Sequence, residues 1–128
     1  YYQECKRNLE EQAKNLTGIS FLVSDINDWA WDGLDLFKNA VFYFDPPYRG
    51  TKQYGVSKNF DYDRFYDICR KLSRDNIVIV SEENMPDDFV EIWHKPISRS
   101  IKATDKSYST EKLFIIGKAL DFWKEMEI

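Results

Sequence analysis

Nothing in the 128 residues is long and apolar enough to cross a bilayer as a helix, because the longest unbroken apolar runs, 40–44 and 113–116, fall far short of the ~20 residues a span requires. Cysteine is scarce. Cys5 and Cys69 sit in apolar stripes rather than at paired spacings, which argues against a disulfide framework and for reduced thiols. No basic segment followed by an apolar stretch and a small-residue cleavage site opens the chain, so the expected compartment is the cytoplasm. His94 is the single histidine, and with neither a His cluster nor a Cys pair no metal site is expected. Cys69 has no His partner in view, so nucleophilic catalysis is unsupported as well. A basic excess is also missing: 18 Lys and Arg against 22 Asp and Glu give a net charge of -4, the wrong sign for a domain whose whole surface grips nucleic acid. Any polyanion contact must be local. Repeats, low-complexity tracts and linkers are absent, and one domain over 1–128 is expected. The chain opens Tyr1-Tyr2 without methionine, which suggests processing or trimming.

What is present is core material, 43% apolar and 16% aromatic. Cys5, Leu9, Ala13 and Leu16 recur at helical spacing in residues 1–16, with Gly18 as a stop. Ile19 to Val23 and Ala40 to Phe44 read as buried strands, closed by Ser24-Asp25 and by Asp45-Pro46-Pro47. Trp29 to Lys38 suggests a loop and a short helix packed on the sheet. After a polar loop, Arg49 to Asn59, Asp61 is a fair N-cap for a helix to about Arg74 whose stripe is Phe65, Ile68, Cys69 and Leu72. Ile77 to Val80 is a third buried strand closed by Ser81-Glu82, and Pro86 to Trp93 suits a short acidic helix. Alternation through Ile97, Arg99 and Ile101, then Leu113 and Ile115, predicts two antiparallel strands joined by a polar loop that includes Thr104, Asp105, Lys106 and Ser107. A helix over 119–128 ends the chain. The fold class is α/β, with a mostly parallel sheet ending in an antiparallel hairpin.

The feature that carries chemistry is Val41-Phe42-Tyr43-Phe44-Asp45-Pro46-Pro47-Tyr48. Two prolines fix φ and remove two N–H donors, leaving a stiff loop that presents carbonyl oxygens and a carboxylate beside an aromatic ring. Such acceptors suit an amino group on a flat ring: they bind its hydrogens, aim the nitrogen lone pair outward and stabilise the positive charge that develops as nitrogen attacks an electrophile. Tyr48 would stack on the ring, and a nucleic-acid base can reach such a pocket only by leaving the stack. An arbitrary Asp-Pro-Pro simply ends a strand. Three things set this one apart: the preceding strand is wholly apolar, the fourth residue is aromatic, and ligands in open α/β sheets bind beyond the carboxyl ends of strands.

At these residues the sequence resembles the Dam-type DNA adenine-N6 methyltransferases, which depend on S-adenosylmethionine. Arg49-Gly50-Thr51-Lys52-Gln53-Tyr54 and Asn59-Phe60-Asp61 are similar to that family's continuation, Ile77 to Ser81 to its next strand, and 99–103 with 109–115 to its closing hairpin, so the likeness spans about 19–118. The resemblance implies a partial Rossmann-like methyltransferase fold. It also implies methyl transfer to N6 of a flipped adenine by direct displacement, with Asp45 and Pro46 holding the amino group in the Asp45-Pro46-Pro47-Tyr48 motif and Tyr48 stacking. Asp25, Asp45 and Phe60 would lie near the cofactor, S-adenosylmethionine; Asp25 reads equally as a solvated strand end and Phe60 as a core aromatic. Arg49, Lys52, Lys58, Arg99, Lys102 and Lys106 fall where the resemblance puts DNA, and residues 95–106 carry four basic side chains against Asp105, an excess of three. The acidic residues Glu82, Glu83, Asp87, Asp88 and Glu91 read as a solvated face, and the four tryptophans as packing.

One departure is large. The family's Phe-x-Gly-x-Gly signature, which cradles the methionine part of the cofactor, has no counterpart among Gly18, Gly33, Gly50, Gly55 and Gly117. The resemblance therefore implies the C-terminal part of an enzyme, with residues 1–16 the end of the target-recognition region and the missing N-terminal part, DNA or a second copy across an unpaired sheet edge as partners. A non-catalytic remnant, a DNA-binding module indifferent to the cofactor, and a methyltransferase acting on an RNA base or protein glutamine are the alternatives.

Overall fold

A computed structural model describes residues 1–49, 59–102 and 105–126, with the backbone alone for 98–102 and 105–108. In chain order it contains α1 (Tyr2–Ala13), two 3-10 turns (Ile26–Asp28 and Asp32–Leu36), β1 (Val41–Phe44), α2 (Tyr62–Leu72), β2 (Ile77–Glu82), β3 (Val90–Lys102), β4 (Asp105–Ile116) and α3 (Lys118–Met126). The four strands form one mixed sheet in the order β1-β2-β4-β3. β1 runs parallel to β2, from Val41 opposite Ile77 to Phe44 opposite Val80. β4 is antiparallel to both β2 and β3. The fold is α/β as expected, but only one of the three pairings is parallel, which corrects the mostly parallel sheet. β1, β2 and β3 share a direction, yet β4 inserts between β2 and β3, because the hairpin lays its second strand on β2.

α2 is the crossover between the parallel strands, and its sequence explains it. The Asp61 carboxylate accepts from Arg64 N at 3.0 Å and caps the first turn. Phe65, Ile68, Cys69 and Leu72 make one stripe, all buried against Phe42, Phe44, Val78, Val80 and Phe114 of the sheet. Each such side chain withdrawn from water contributes about 1.5–3 kcal/mol before entropy is counted. Leu34, in the second 3-10 turn, closes the same core.

Several expectations fail, each for a reason of partnership. Residues 19–23 form no strand: they run outside any helix or strand, with Val23 103% exposed, because no strand of the described residues lies beside them to accept the run. α1 forms but buries nothing, so its apolar stripe faces solvent, and it ends at Ala13 rather than at Gly18. β1 is a half-buried edge rather than a fully buried strand, with Tyr43 57% exposed on its open face. The acidic helix over 86–93 is absent. Phe89 N closes a turn on Pro86 O, and Val90, Ile92 and Trp93 join β3, where β4 supplies partners. The polar hairpin loop shrinks as well, since Asp105, Lys106 and Ser107 belong to β4, while Thr104 lies outside the described residues. Pro96 is tolerated inside β3 because that strand is an edge.

β2 stops pairing at Glu82 opposite Lys112, whereas β3 and β4 continue together to Lys102 opposite Asp105. A two-stranded ribbon thus projects past the carboxyl end of β2, the end at which the Asp45 motif sits.

Candidate functional site

The carboxyl ends of β1 and β2 lie side by side, so the residues that follow them are brought together by register alone. A cavity of about 640 Å³ opens there, lined by Val23 to Ile26, by Phe44 to Pro47, and by Phe60 and Phe65. Its charged side chains are the carboxylates of Asp25 and Asp45; the remainder is mostly apolar. Its volume lies in the range of small-molecule sites. Asp25, Asp45, Pro46, Pro47 and Phe60, all singled out from sequence, therefore share one cavity.

The neighbours explain how the walls are held. Asp25 caps the first 3-10 turn, its carboxylate accepting from Asn27 N at 2.9 Å. Arg64 of α2 donates to the Asn27 and Trp29 carbonyls, both at 2.8 Å, and pins that turn to the core. The Tyr62 hydroxyl donates to the Pro47 carbonyl at 2.8 Å. Phe60 meets Tyr62 edge to face at 5.0 Å and tilts against Phe65 at 5.5 Å. α2 thus supports both walls with residues that the sequence reading passed over, because their partners lie 15 to 37 positions away.

Tyr48 is placed differently from Pro46 and Pro47. Its hydroxyl lies 3.2 Å from Ser81 Oγ, so the ring is tied to β2 instead of lining the cavity. Burial raises the Tyr48 phenol above its usual range, the Ser81 hydrogen bond opposes this, and Glu111, Asp45 and Glu82 add to the rise. Glu82 is the largest surprise of the acidic stretch. It is 1% exposed rather than solvated, and it accepts from Arg49 N at 3.2 Å and from Glu83 N at 2.8 Å. Burial raises its carboxyl, the two amide donors counter that, and Glu83 and Asp45 raise it further. The strand-end argument that selected Asp45 applies equally to Ser81-Glu82 and was the signal available. Asp88 is likewise engaged, in a two-toothed pair with Arg70 at 2.6 and 3.0 Å.

Of the basic residues expected near DNA, Arg49 lies with its guanidinium 5.5 Å from the centre of the Tyr62 ring, a cation–π distance. Lys52 and Lys58 lie outside the described residues. Arg99, Lys102 and Lys106 are residues of the projecting ribbon, with their side chains outside what is described. Cys69 sits in the core and burial pushes its thiol up to about 12, which makes it a poor nucleophile. His94 pairs with Glu91 at 3.2 Å.

Geometrically, the cavity joins a rigid set of acceptors to an apolar wall. The Pro47 carbonyl accepts from the Tyr62 hydroxyl, and Asp45 and Pro46 line the cavity beside it. Compared with known protein families, curated proteins and solved structures, the chain matches none.

Proposed function

We propose that this chain carries the amino-group site and part of the cofactor site of an S-adenosylmethionine-dependent DNA adenine-N6 methyltransferase. The observation that carries this reading is the shared cavity of Asp25, Asp45, Pro46 and Phe60 at the carboxyl ends of the strands. The parallel β1–β2 pair joined through α2, with an antiparallel hairpin at the far side, supports the finer proposal of a partial Rossmann-like methyltransferase sheet. The cavity chemistry suits the nucleoside and sulfonium parts of S-adenosylmethionine: Phe60 and Ile26 offer an apolar wall, Asp25 a hydroxyl acceptor, and Asp45 a negative charge for a cation. The glycine pair expected around the methionine part has no counterpart here.

When bound, the sulfonium supplies an already activated methyl group. The protein's own work is then positional and electrostatic. Asp45 and the Pro46 carbonyl hold the two amino hydrogens of a base drawn out of its stack, and the Asp45 carboxylate offsets the positive charge that grows on nitrogen. The ribbon, with an excess of three positive charges over 95–106, projects at the same end and suits phosphate contact.

The test is calorimetric binding of S-adenosylmethionine, followed by transfer of labelled methyl to adenine-containing DNA. Asp45→Ala should lower transfer at least about a hundredfold, a loss well beyond any weakening of cofactor binding, as expected for a group that acts mainly in the transition state. Binding and transfer by Asp45→Ala equal to the unaltered chain would remove the motif from the chemistry. DNA binding without cofactor binding would favour a plain binding module.

A further inference from the structure

Glu82 is a carboxylate in a position where charge is costly. It is 1% exposed, and no cation of the described residues forms a salt bridge with it. Its cross-strand neighbour in register is Lys112. Both of its oxygens accept from backbone amides, Oε1 from Glu83 N and Oε2 from Arg49 N. One residue earlier, Ser81 Oγ meets the Tyr48 hydroxyl. Two consecutive residues of β2 therefore hold two consecutive residues of the motif loop. The loop makes this necessary: Pro46 and Pro47 have no N–H, so Tyr48 and Arg49 carry the first amide donors after Asp45, and Arg49 places its own on Glu82.

We propose that Ser81-Glu82 is a positioning pair for the amino-group site, fixing the Tyr48 ring and the Arg49 backbone relative to the Asp45 carboxylate. The proposal rests on the reading of Asp45-Pro46-Pro47-Tyr48 as that site. The groups around Glu82 are Asp45, Tyr48 and the Arg49 backbone from the motif loop, Glu83 just past the end of β2, and Lys112 opposite it in register on β4. Burial, then Glu83 and Asp45, favour its protonated form. The sign follows: with the folded value above the unfolded one, the fold gains most when pH is below the unfolded value and loses that gain as pH rises through the folded value. Glu82→Gln, neutral throughout, removes the cost of a buried charge but places an NH2 against an amide donor and so loses one of the two hydrogen bonds.

The experiment compares the full chain with Glu82→Gln. In amide NMR spectra taken across pH, Arg49 and Glu83 should follow one shared carboxyl titration that vanishes in the variant, where the Tyr48 ring signals also move. An Arg49 amide that does not titrate with Glu83 overturns the proposal, as does a Tyr48 ring unmoved in the variant. In methyl transfer to adenine-containing DNA, kcat should fall about tenfold or more while KM for S-adenosylmethionine stays within about twofold. The melting temperature at pH 7 should not drop. An unchanged kcat overturns the proposal, and so does a kcat loss matched by a lowered melting temperature. If the unaltered chain transfers no methyl group, the methyltransferase reading fails on its own, and the amide titration and the Tyr48 ring decide for or against the pair.

Discussion

At the level of single residues, the Asp45 motif shows why a stiff loop needs support from elsewhere. Two prolines leave it with carbonyls to satisfy and few donors to give, and Tyr62 meets that need by donating to Pro47. Tyr62→Phe should destabilise the fold by about 1 kcal/mol, the usual net value of such a bond, measured as a shift in urea midpoint with an unchanged slope. The motif itself, the Asp61 cap and the Phe65 stripe were legible from sequence, because each is a local pattern with a local cause. Tyr62, Arg64, Ser81 and Glu82 were not, because what they do depends on which strand end lies beside which. The two cysteines give a further check. Cys5 is exposed and Cys69 is buried with its thiol pushed up to about 12. A thiol reagent under native conditions should label Cys5 quickly and Cys69 only after unfolding. Fast labelling of both would contradict the packing of α2.

Among the elements, periodicity located helices better than it located their partners. α2 and β2 match their sequence patterns because each buries what its pattern predicts. Residues 19–23 and α1 carry apolar patterns of the same quality and remain exposed, since an apolar run records a need for burial without naming what meets it. The long β3–β4 hairpin was foreseen only in part. Polar residues 105–107 looked like a loop, yet in a two-stranded ribbon the backbone pairs whether or not the side chains are apolar. The join of β4 to α3 depends on Gly117. It has φ +67°, and a Cβ there would lie 2.5 Å from the Ser73 carbonyl oxygen at the end of α2. Gly117→Ala should therefore cost more than about 1 kcal/mol, from the left-handed backbone and the clash together, seen as a lower urea midpoint. A neutral outcome would mean that Gly117 is not held against the Ser73 carbonyl as the structure has it.

For the molecule as a whole, charge and apolar surface pull in different directions. A net charge of -4 favours dispersal, while the projecting ribbon carries a local positive excess and the β1 side is apolar and open. β1 ends the sheet, so its outer N–H and C=O groups have no strand to pair with among the described residues. Val41 and Tyr43 are exposed on it, and Phe21, Leu22 and Leu36 are exposed elsewhere in the chain. An edge of this kind accepts another strand readily, from a second copy or from another chain. The expected outcome is concentration-dependent self-association of the isolated chain, measured by sedimentation equilibrium. Tyr43→Lys, which places a charge on the open face without touching the α2 core, should shift that equilibrium toward monomer and leave the melting temperature nearly unchanged. If the ribbon binds DNA as proposed, raising salt should weaken that binding but leave edge association intact or strengthened, because the first depends on phosphate charge and the second on apolar burial. A chain that stays monomeric at all concentrations, with Tyr43→Lys indistinguishable from it, would show that the β1 edge is closed by its own geometry.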